Sequence, residues 1–155
     1  MTERKNMSEL IPIIEDVIYH GGEFCLYPKG TSMLPLIREG RDAVILSRPD
    51  DGTLAKNDII LYRRKNGNWV LHRIVKIKGD ELFICGDNQG DIERGIFHAD
   101  VKAKVIAILR DSRRININDP HYKAYVRRIN RTRPVRTLRS KISKVIHKKN
   151  NSFTK

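Results

Sequence analysis

Ser32 lies in a glycine-containing turn whose residue types could allow its hydroxyl to act as a nucleophile. It follows Gly30-Thr31 and precedes the short apolar, proline-containing run Met33-Leu34-Pro35-Leu36-Ile37. A turn of this kind can expose a hydroxyl while its backbone N–H groups converge on one point, as a nucleophile beside an oxyanion hole requires. An ordinary surface turn has the same composition, so the segment indicates catalysis only if a base accompanies it.

His72 is the candidate base. It lies within Val70-Leu71-His72-Arg73-Ile74-Val75, an alternating segment typical of a strand. A serine hydroxyl is a poor nucleophile at neutral pH, and imidazole, with an ordinary pKa of about 6.5, is suited to accept its proton. The alternative is a structural histidine that is hydrogen-bonded to a neighbouring strand.

A polar segment, Cys85 to Gly95, supplies three carboxylates: Asp87, Asp91 and Glu93. Any of them could orient the imidazole of His72. The alternative is that the segment is a solvated loop without a catalytic role.

Short strand-like runs separated by turn signals must position these side chains. The pattern predicts a helix over 10–18, ending at Gly21-Gly22, and strands over 24–27, 43–46, 58–64, 69–77, 82–85 and 101–109. Asn66-Gly67 predicts a hairpin, and residues 49–52 predict a turn. Five or six strands without intervening helices predict a mainly β fold with an antiparallel body.

The charge distribution separates this body from a basic tail. The first 110 residues carry a net charge of +1, and residues 111–155 carry +12. Tyr122, Tyr125, Val126 and Ile129 share one helical face, and Pro134 is predicted to interrupt the helix before a second amphipathic stretch at Leu138, Ile142, Val145 and Ile146. We therefore expect an N-terminal helix (1–22), a β domain (23–111) and a basic helical tail (112–155) with a disordered end from Asn150.

Several classes of protein are disfavoured. No run of 18 apolar residues predicts a membrane-spanning helix, and the N-terminus lacks the pattern of a secretory signal. We therefore expect a cytoplasmic protein, with peripheral attachment to a membrane as an option. Cys25 and Cys85 lack metal-ligand spacing, so both are expected to be buried apolar residues, and neither a metal nor a cofactor is expected.

Four motifs, in order, resemble a family of serine peptidases that comprises the signal peptidases and the LexA-type self-cleaving repressors. The resemblance covers roughly residues 24–109 and is carried by Gly30-Thr31-Ser32-Met33-Leu34-Pro35, Gly40-Arg41-Asp42-Ala43-Val44, Leu71-His72-Arg73-Ile74-Val75 and Gly86-Asp87-Asn88. It implies a coiled antiparallel sheet with a helix before it. The matching positions imply Ser32 as nucleophile and His72 as base, as in the endoplasmic-reticulum and spore-former signal peptidases, where histidine replaces the lysine of other members.

The same resemblance implies the remaining site residues. Glu93, before Arg94-Gly95, matches the acidic residue of the histidine-containing members with Glu in place of Asp, and Asp91 or Asp87 could serve instead, Asp87 more as a loop organiser. Gly30 stands where signal peptidases usually carry a hydroxyl residue, so the oxyanion hole would depend on the Ser32 N–H, helped by Thr31. Met33 and Leu34 would line shallow substrate pockets.

The implied function is a serine endopeptidase that removes a leader or signal-like segment from a peptide precursor. The alternative is a non-catalytic peptide-binding module whose basic tail docks to a membrane or to nucleic acid. The tail could be a solvated helical extension packed by Tyr122, Tyr125 and Ile129. If it has a partner, an anionic membrane surface or a membrane transporter is favoured over nucleic acid, because the tail lacks the interleaved aromatic residues of a base-stacking platform.

Overall fold

Strand-forming segments rich in Ile, Val, Leu and Tyr build an eight-stranded sheet. The computed structural model describes residues 6–49 and 54–152, with side chains as far as Lys144. In chain order the elements are α1 (Met7–Tyr19), β1 (Phe24–Leu26), β2 (Asp42–Ser47), β3 (Ile59–Arg63), β4 (Trp69–Lys78), β5 (Glu81–Cys85), β6 (Glu93–Phe97), a 3-10 turn (His98–Asp100), β7 (Val101–Arg110), β8 (Arg113–Asn116) and α2 (Pro120–Ser152). The prediction of a mainly β fold with an N-terminal and a C-terminal helix is confirmed.

All strand pairs are antiparallel, in the order β1-β2-β7-β3-β4-β5-β6, and β8 also pairs with β7. The hairpin predicted at Asn66-Gly67 joins β3 to β4, with Gly67 at φ 86° and an Arg64 N–H donating to the carbonyl of Asn68 at 2.9 Å. The register places Ile60 opposite His72 and Arg73 opposite Cys85. β4 is therefore the strand that connects the predicted base to the polar loop after β5.

The two faces of the sheet are both apolar. One face packs with α1 and the start of α2 around Ile14, Leu61, Leu71, Val105 and Val126. The other face carries a smaller cluster of Ile60, Tyr62, Ile74, Leu82, Ile84 and Ile96. Because side chains alternate along a strand, His72 belongs to the second face and its neighbours Leu71 and Arg73 to the first.

Two strands differ from the prediction. The sequence predicts a polar loop as far as Gly95, whereas Glu93–Phe97 forms β6 and pairs with β5. Arg113–Asn116, inside the predicted basic tail, forms β8. Both segments are short and begin with charged residues, so neither has the alternation of apolar and polar residues that predicts a strand.

Cys25 is exposed, so its predicted burial is wrong, whereas Cys85 is buried. Phe24 and Leu26 turn inward from the edge strand β1, which leaves Cys25 between them facing outward. The turn predicted over 49–52 lies in part outside the described residues.

Pro134 does not interrupt the tail helix, contrary to the prediction, because α2 continues from Pro120 to Ser152. Side chains donate to the backbone in the turn before Pro134: Thr132 Oγ1 and Arg136 Nη2 both donate to the carbonyl of Ile129, at 3.3 and 3.0 Å. Pro134 removes the helical donor to the carbonyl of Asn130, and these side chains bond to the adjacent carbonyl of Ile129. The end predicted as disordered is helical through Ser152, and its last three residues lie outside the described part.

Candidate active site

The turn that carries Ser32 is held on both sides. Gly30 has a φ of 90°, which favours glycine, and its N–H donates to Glu39 Oε2 at 2.7 Å. After the serine, Met33 and Ile37 are buried in the main core and anchor the turn, with the Ile37 N–H donating to the carbonyl of Met33. Ser32 itself is half-buried at the edge of this anchored segment.

Asn88 ties the serine turn to the polar loop. Its backbone N–H donates to the carbonyl of Ser32 at 2.8 Å, and its side-chain amide donates to the carbonyl of Thr31 at 3.2 Å. In a trans peptide the N–H points away from the preceding carbonyl, so the N–H of Ser32 points away from Asn88. Over the described residues, this N–H has no acceptor within the protein, which suits an oxyanion donor.

His72 is buried in β4 and its ring is held by a chain of hydrogen bonds. Its Nδ1 lies 3.3 Å from Tyr62 Oη, and Tyr62 Oη donates to Glu93 Oε1 at 2.9 Å. Arg64 fixes Glu93 in turn, with Nε at 3.0 and 2.9 Å from the two carboxylate oxygens. Because the Tyr62 proton is directed at Glu93, its oxygen accepts from Nδ1–H, and this tautomer leaves the lone pair on Nε2.

The local electrostatics favour one protonation state for each group in the series of hydrogen bonds from His72 to Glu93. Burial, followed by the charge of Arg64, lowers the pKa of His72 to about 4, although Glu93 and Asp87 oppose the shift. Burial and the neighbouring Glu93 raise the pKa of Tyr62. Burial alone would raise the pKa of Glu93, but the hydrogen bonds from Arg64 and Tyr62 lower it. At neutral pH, His72 is therefore neutral, Tyr62 protonated and Glu93 ionised.

We expect the burial of neutral His72 to make folding sensitive to mild acid. The unfolded chain binds a proton at this residue below about pH 6.5 and the folded protein only below about 4, so stability is lost as the pH falls through this window. A lowering of the pKa from 6.5 to about 4 corresponds to about 3 kcal/mol at most. Urea unfolding of the wild type at pH 7 and pH 4.5 measures this loss in the free energy of unfolding.

His72→Gln is the reference for that measurement. Glutamine does not titrate, and every other titratable group of the protein is retained in this variant. The wild type should lose more free energy of unfolding than this variant between the two pH values. Identical losses would contradict a neutral, buried His72.

Gly86 relates Ser32 to His72. Continuing the register by one residue from Arg73 and Cys85 places Gly86 opposite His72, on the same face of the sheet. A Cβ on Gly86 would lie 2.6 Å from the carbonyl oxygen of Ser32, so the serine backbone occupies the space that a side chain would take there. The backbone of Ser32 therefore lies on the His72 side of the sheet.

The structure records no hydrogen bond between Ser32 and His72, both of which are among the described residues. The side-chain hydrogen bond recorded for His72 is that between its Nδ1 and Tyr62 Oη. Hydrogen bonds between catalytic groups are often long without substrate and tighten when it binds.

The two aspartates of the polar loop do not bond to His72. Both contact residues of α2, and Asp87 also pairs with Arg73 of β4. Asp87 forms a fully buried ion pair with Arg73, at 2.8 and 2.7 Å, and accepts from Tyr125 Oη at 3.0 Å. Asp91 accepts from Ser140 Oγ at 2.7 Å and pairs with Lys144 at 2.8 Å. Of the three predicted carboxylates, Glu93 is the one linked to the imidazole, and the link runs through Tyr62.

Sequence reasoning missed Tyr62, Arg73 and Tyr125. Arg73 carried a signal, because a charged residue within an alternating apolar strand needs a buried partner. Tyr62 carried none, because its place beside His72 follows from the register between β3 and β4.

A groove beside Ser32 could receive an extended peptide. A cavity of about 120 Å³ borders the serine and adjoins a cavity of about 230 Å³, with which it shares Pro28, Lys29, Trp69 and Leu71. β5 pairs with β4 only from Arg73 onward, so over the described chain no strand covers the outer side of 69–71. An added strand could pair with that side and place its side chains in the cavities.

Within the described residues, no group of three His, Cys, Asp or Glu side chains could hold a metal ion, and no helix has the length and apolar character to cross a membrane. Neither a protein-family model nor a curated protein matches this chain. The family resemblance therefore depends on the four motifs.

Proposed function

We propose that this protein is a serine endopeptidase of the signal-peptidase type. Ser32 Oγ attacks a peptide carbonyl while Nε2 of His72 accepts its proton. The protonated imidazole then gives this proton to the leaving amine, and water hydrolyses the acyl-enzyme. Tyr62 and Glu93 hold the ring in the required tautomer, and Glu93 stabilises the imidazolium through Tyr62.

One observation carries this proposal. The hydrogen-bond chain from His72 through Tyr62 to Glu93 favours the tautomer with Nε2 as the acceptor, and the close approach of the Ser32 carbonyl to Gly86 supports Ser32 as its partner. A histidine buried only for packing would not need an ionised carboxylate held by Arg64 behind it.

The substrate we propose is an extended segment of a peptide precursor. It would add as a strand along 69–71 and place small side chains in the cavity of about 120 Å³ next to Ser32, which Met33 borders. The oxyanion would be bound by the free N–H of Ser32, with Thr31 beside it, and no side-chain hydroxyl is available at Gly30. Loss of one oxyanion donor usually costs about 2.7–4 kcal/mol, so turnover is expected to be slow.

A fluorophosphonate probe tests the nucleophile without knowledge of the substrate. Ser32 Oγ should attack phosphorus and displace fluoride, and intact-mass and peptide mass spectrometry should find one adduct, on Ser32. Ser32→Ala should abolish labelling, and His72→Gln should slow it strongly. Absence of labelling of the wild type, or labelling that persists in Ser32→Ala, would contradict the proposal.

A non-catalytic peptide-binding module is the second candidate. It is favoured by the missing hydrogen bond between Ser32 and His72 and by Gly30 in place of a hydroxyl residue. It predicts an unlabelled Ser32 in a protein that still binds extended peptides along the groove.

A further inference from the structure

The long helix α2 has an inner face that is fixed to the body. Tyr122, Val126, Ile129 and Arg133 recur at intervals of three and four residues and are buried. Polar contacts continue the attachment, since Asn130 donates to Asn57 at 2.8 Å and Ser140 donates to Asp91 at 2.7 Å. The orientation of α2 relative to the sheet is therefore set along at least five turns.

The opposite face of α2 carries an apolar stripe, defined here as Val135, Leu138 and Ile142. These side chains are 60%, 59% and 50% exposed. With 3.6 residues per turn they fall within about 60° of one another, roughly opposite Arg133 and Ser140. All three side chains are large and apolar, and Leu138 also borders an open cavity of about 410 Å³ that it shares with Val75 and Ile92 of the body.

The charged residues of α2 around the stripe are all basic. Residues 120–152 contain eleven Lys or Arg and no Asp or Glu. Arg131 and Arg139 are exposed and border the stripe, on the side of α2 that faces away from the sheet. An occupant of this surface must therefore offer negative charge together with an apolar region.

We propose that the outer face of α2 docks this protein on an anionic lipid bilayer. The helix would lie along the membrane plane, with Val135, Leu138 and Ile142 inserted below the headgroups and the flanking arginines on lipid phosphates. A second copy of the chain is disfavoured, because two acid-free helices would meet face to face. Nucleic acid would satisfy the charges and leave the stripe without an apolar partner.

This docking does not depend on peptidase activity and can be tested separately from it. Flotation with vesicles of phosphatidylcholine alone, or with about 30% phosphatidylglycerol, is carried out on the full chain carrying Ser32→Ala. Binding should require the anionic lipid and weaken with added salt, as expected for basic residues on a charged surface.

Leu138→Gln/Ile142→Gln replaces two of the three stripe side chains and keeps every charge, and it should weaken binding by at least about tenfold. Arg131→Gln/Arg139→Gln should weaken it by about fivefold for each charge removed. The matched control is Ile13→Gln/Phe97→Gln, which replaces side chains of similar exposure (42% and 41%) outside α2 and should bind as the parent does.

Circular dichroism establishes that each variant remains folded. Three results would overturn the proposal: equal binding to neutral vesicles, undiminished binding by Leu138→Gln/Ile142→Gln, or binding of duplex DNA with no binding of anionic vesicles.

Discussion

Ser32→Ala is expected to abolish peptide-bond hydrolysis, with a fall in kcat of up to about 10⁶-fold, as for removal of the nucleophile in other serine peptidases. Alanine has no group that can form an acyl-enzyme, and the proposal assigns no nucleophilic role to the neighbouring hydroxyl of Thr31. Cleavage of a library of extended peptides, followed by mass spectrometry, identifies a substrate on which wild type and variant are compared.

Ser8→Ala is the matched control, since it removes an exposed serine of α1 and should cleave at the wild-type rate. The double variant Ser32→Ala/His72→Gln should be no slower than Ser32→Ala alone, because a base without its nucleophile has nothing to deprotonate. Cleavage by Ser32→Ala at the parent rate, or a wild type that cleaves no peptide, would exclude the peptidase.

Asp87→Ala should produce the largest loss of stability. Both side chains of the Arg73–Asp87 pair have 0% exposure, so the substitution leaves an uncompensated guanidinium in the core. Burial opposes the charge of Arg73, and the hydrogen bonds to Asp87 outweigh it and raise the pKa of this group. Breaking such a pair costs about 3–5 kcal/mol in the free energy of unfolding, which urea denaturation measures.

The control for this prediction is another Arg–carboxylate pair in a different environment. Glu23 and Arg114 also form two hydrogen bonds, at 2.7 and 2.9 Å, but their side chains are 45% and 41% exposed. Glu23→Ala should therefore leave the unfolding transition nearly unchanged. Asp87→Asn, which keeps part of the hydrogen bonding, should fall between the two. Equal losses for Asp87→Ala and Glu23→Ala would mean that burial of the ion pair is unimportant.

The strands between Phe24 and Arg110 were predictable, with the exception of β6, because their apolar alternation and turn residues are local. β6 and β8 were not, because polar edge segments become strands only through pairing with β5 and β7. The integrity of α2 across Pro134 was also missed, because the packing of Val126, Ile129 and Arg133 against the body is not visible in the sequence.

The site was predictable in its residue types and only partly in its contacts. Ser32, His72 and Glu93 could be singled out from motifs, but the intervening Tyr62 depends on strand register. Likewise, the Gly86-Asp87-Asn88 motif was visible, whereas the two bonds from Asn88 to the serine turn join residues more than 50 positions apart. Contacts of this range leave no periodic trace in a single sequence.

The attachment of α2 bears on how the chain can be shortened. Tyr122 and Tyr125 bond to Arg73 and Asp87, and Ser140 and Lys144 hold Asp91, so the helix braces the loop that supports Ser32. Its first turns also bury Tyr122 and Val126 in the main core. A fragment trimmed at residue 111 would therefore expose the part of the main core that Tyr122 and Val126 cover, and we expect it to be less stable than the full chain.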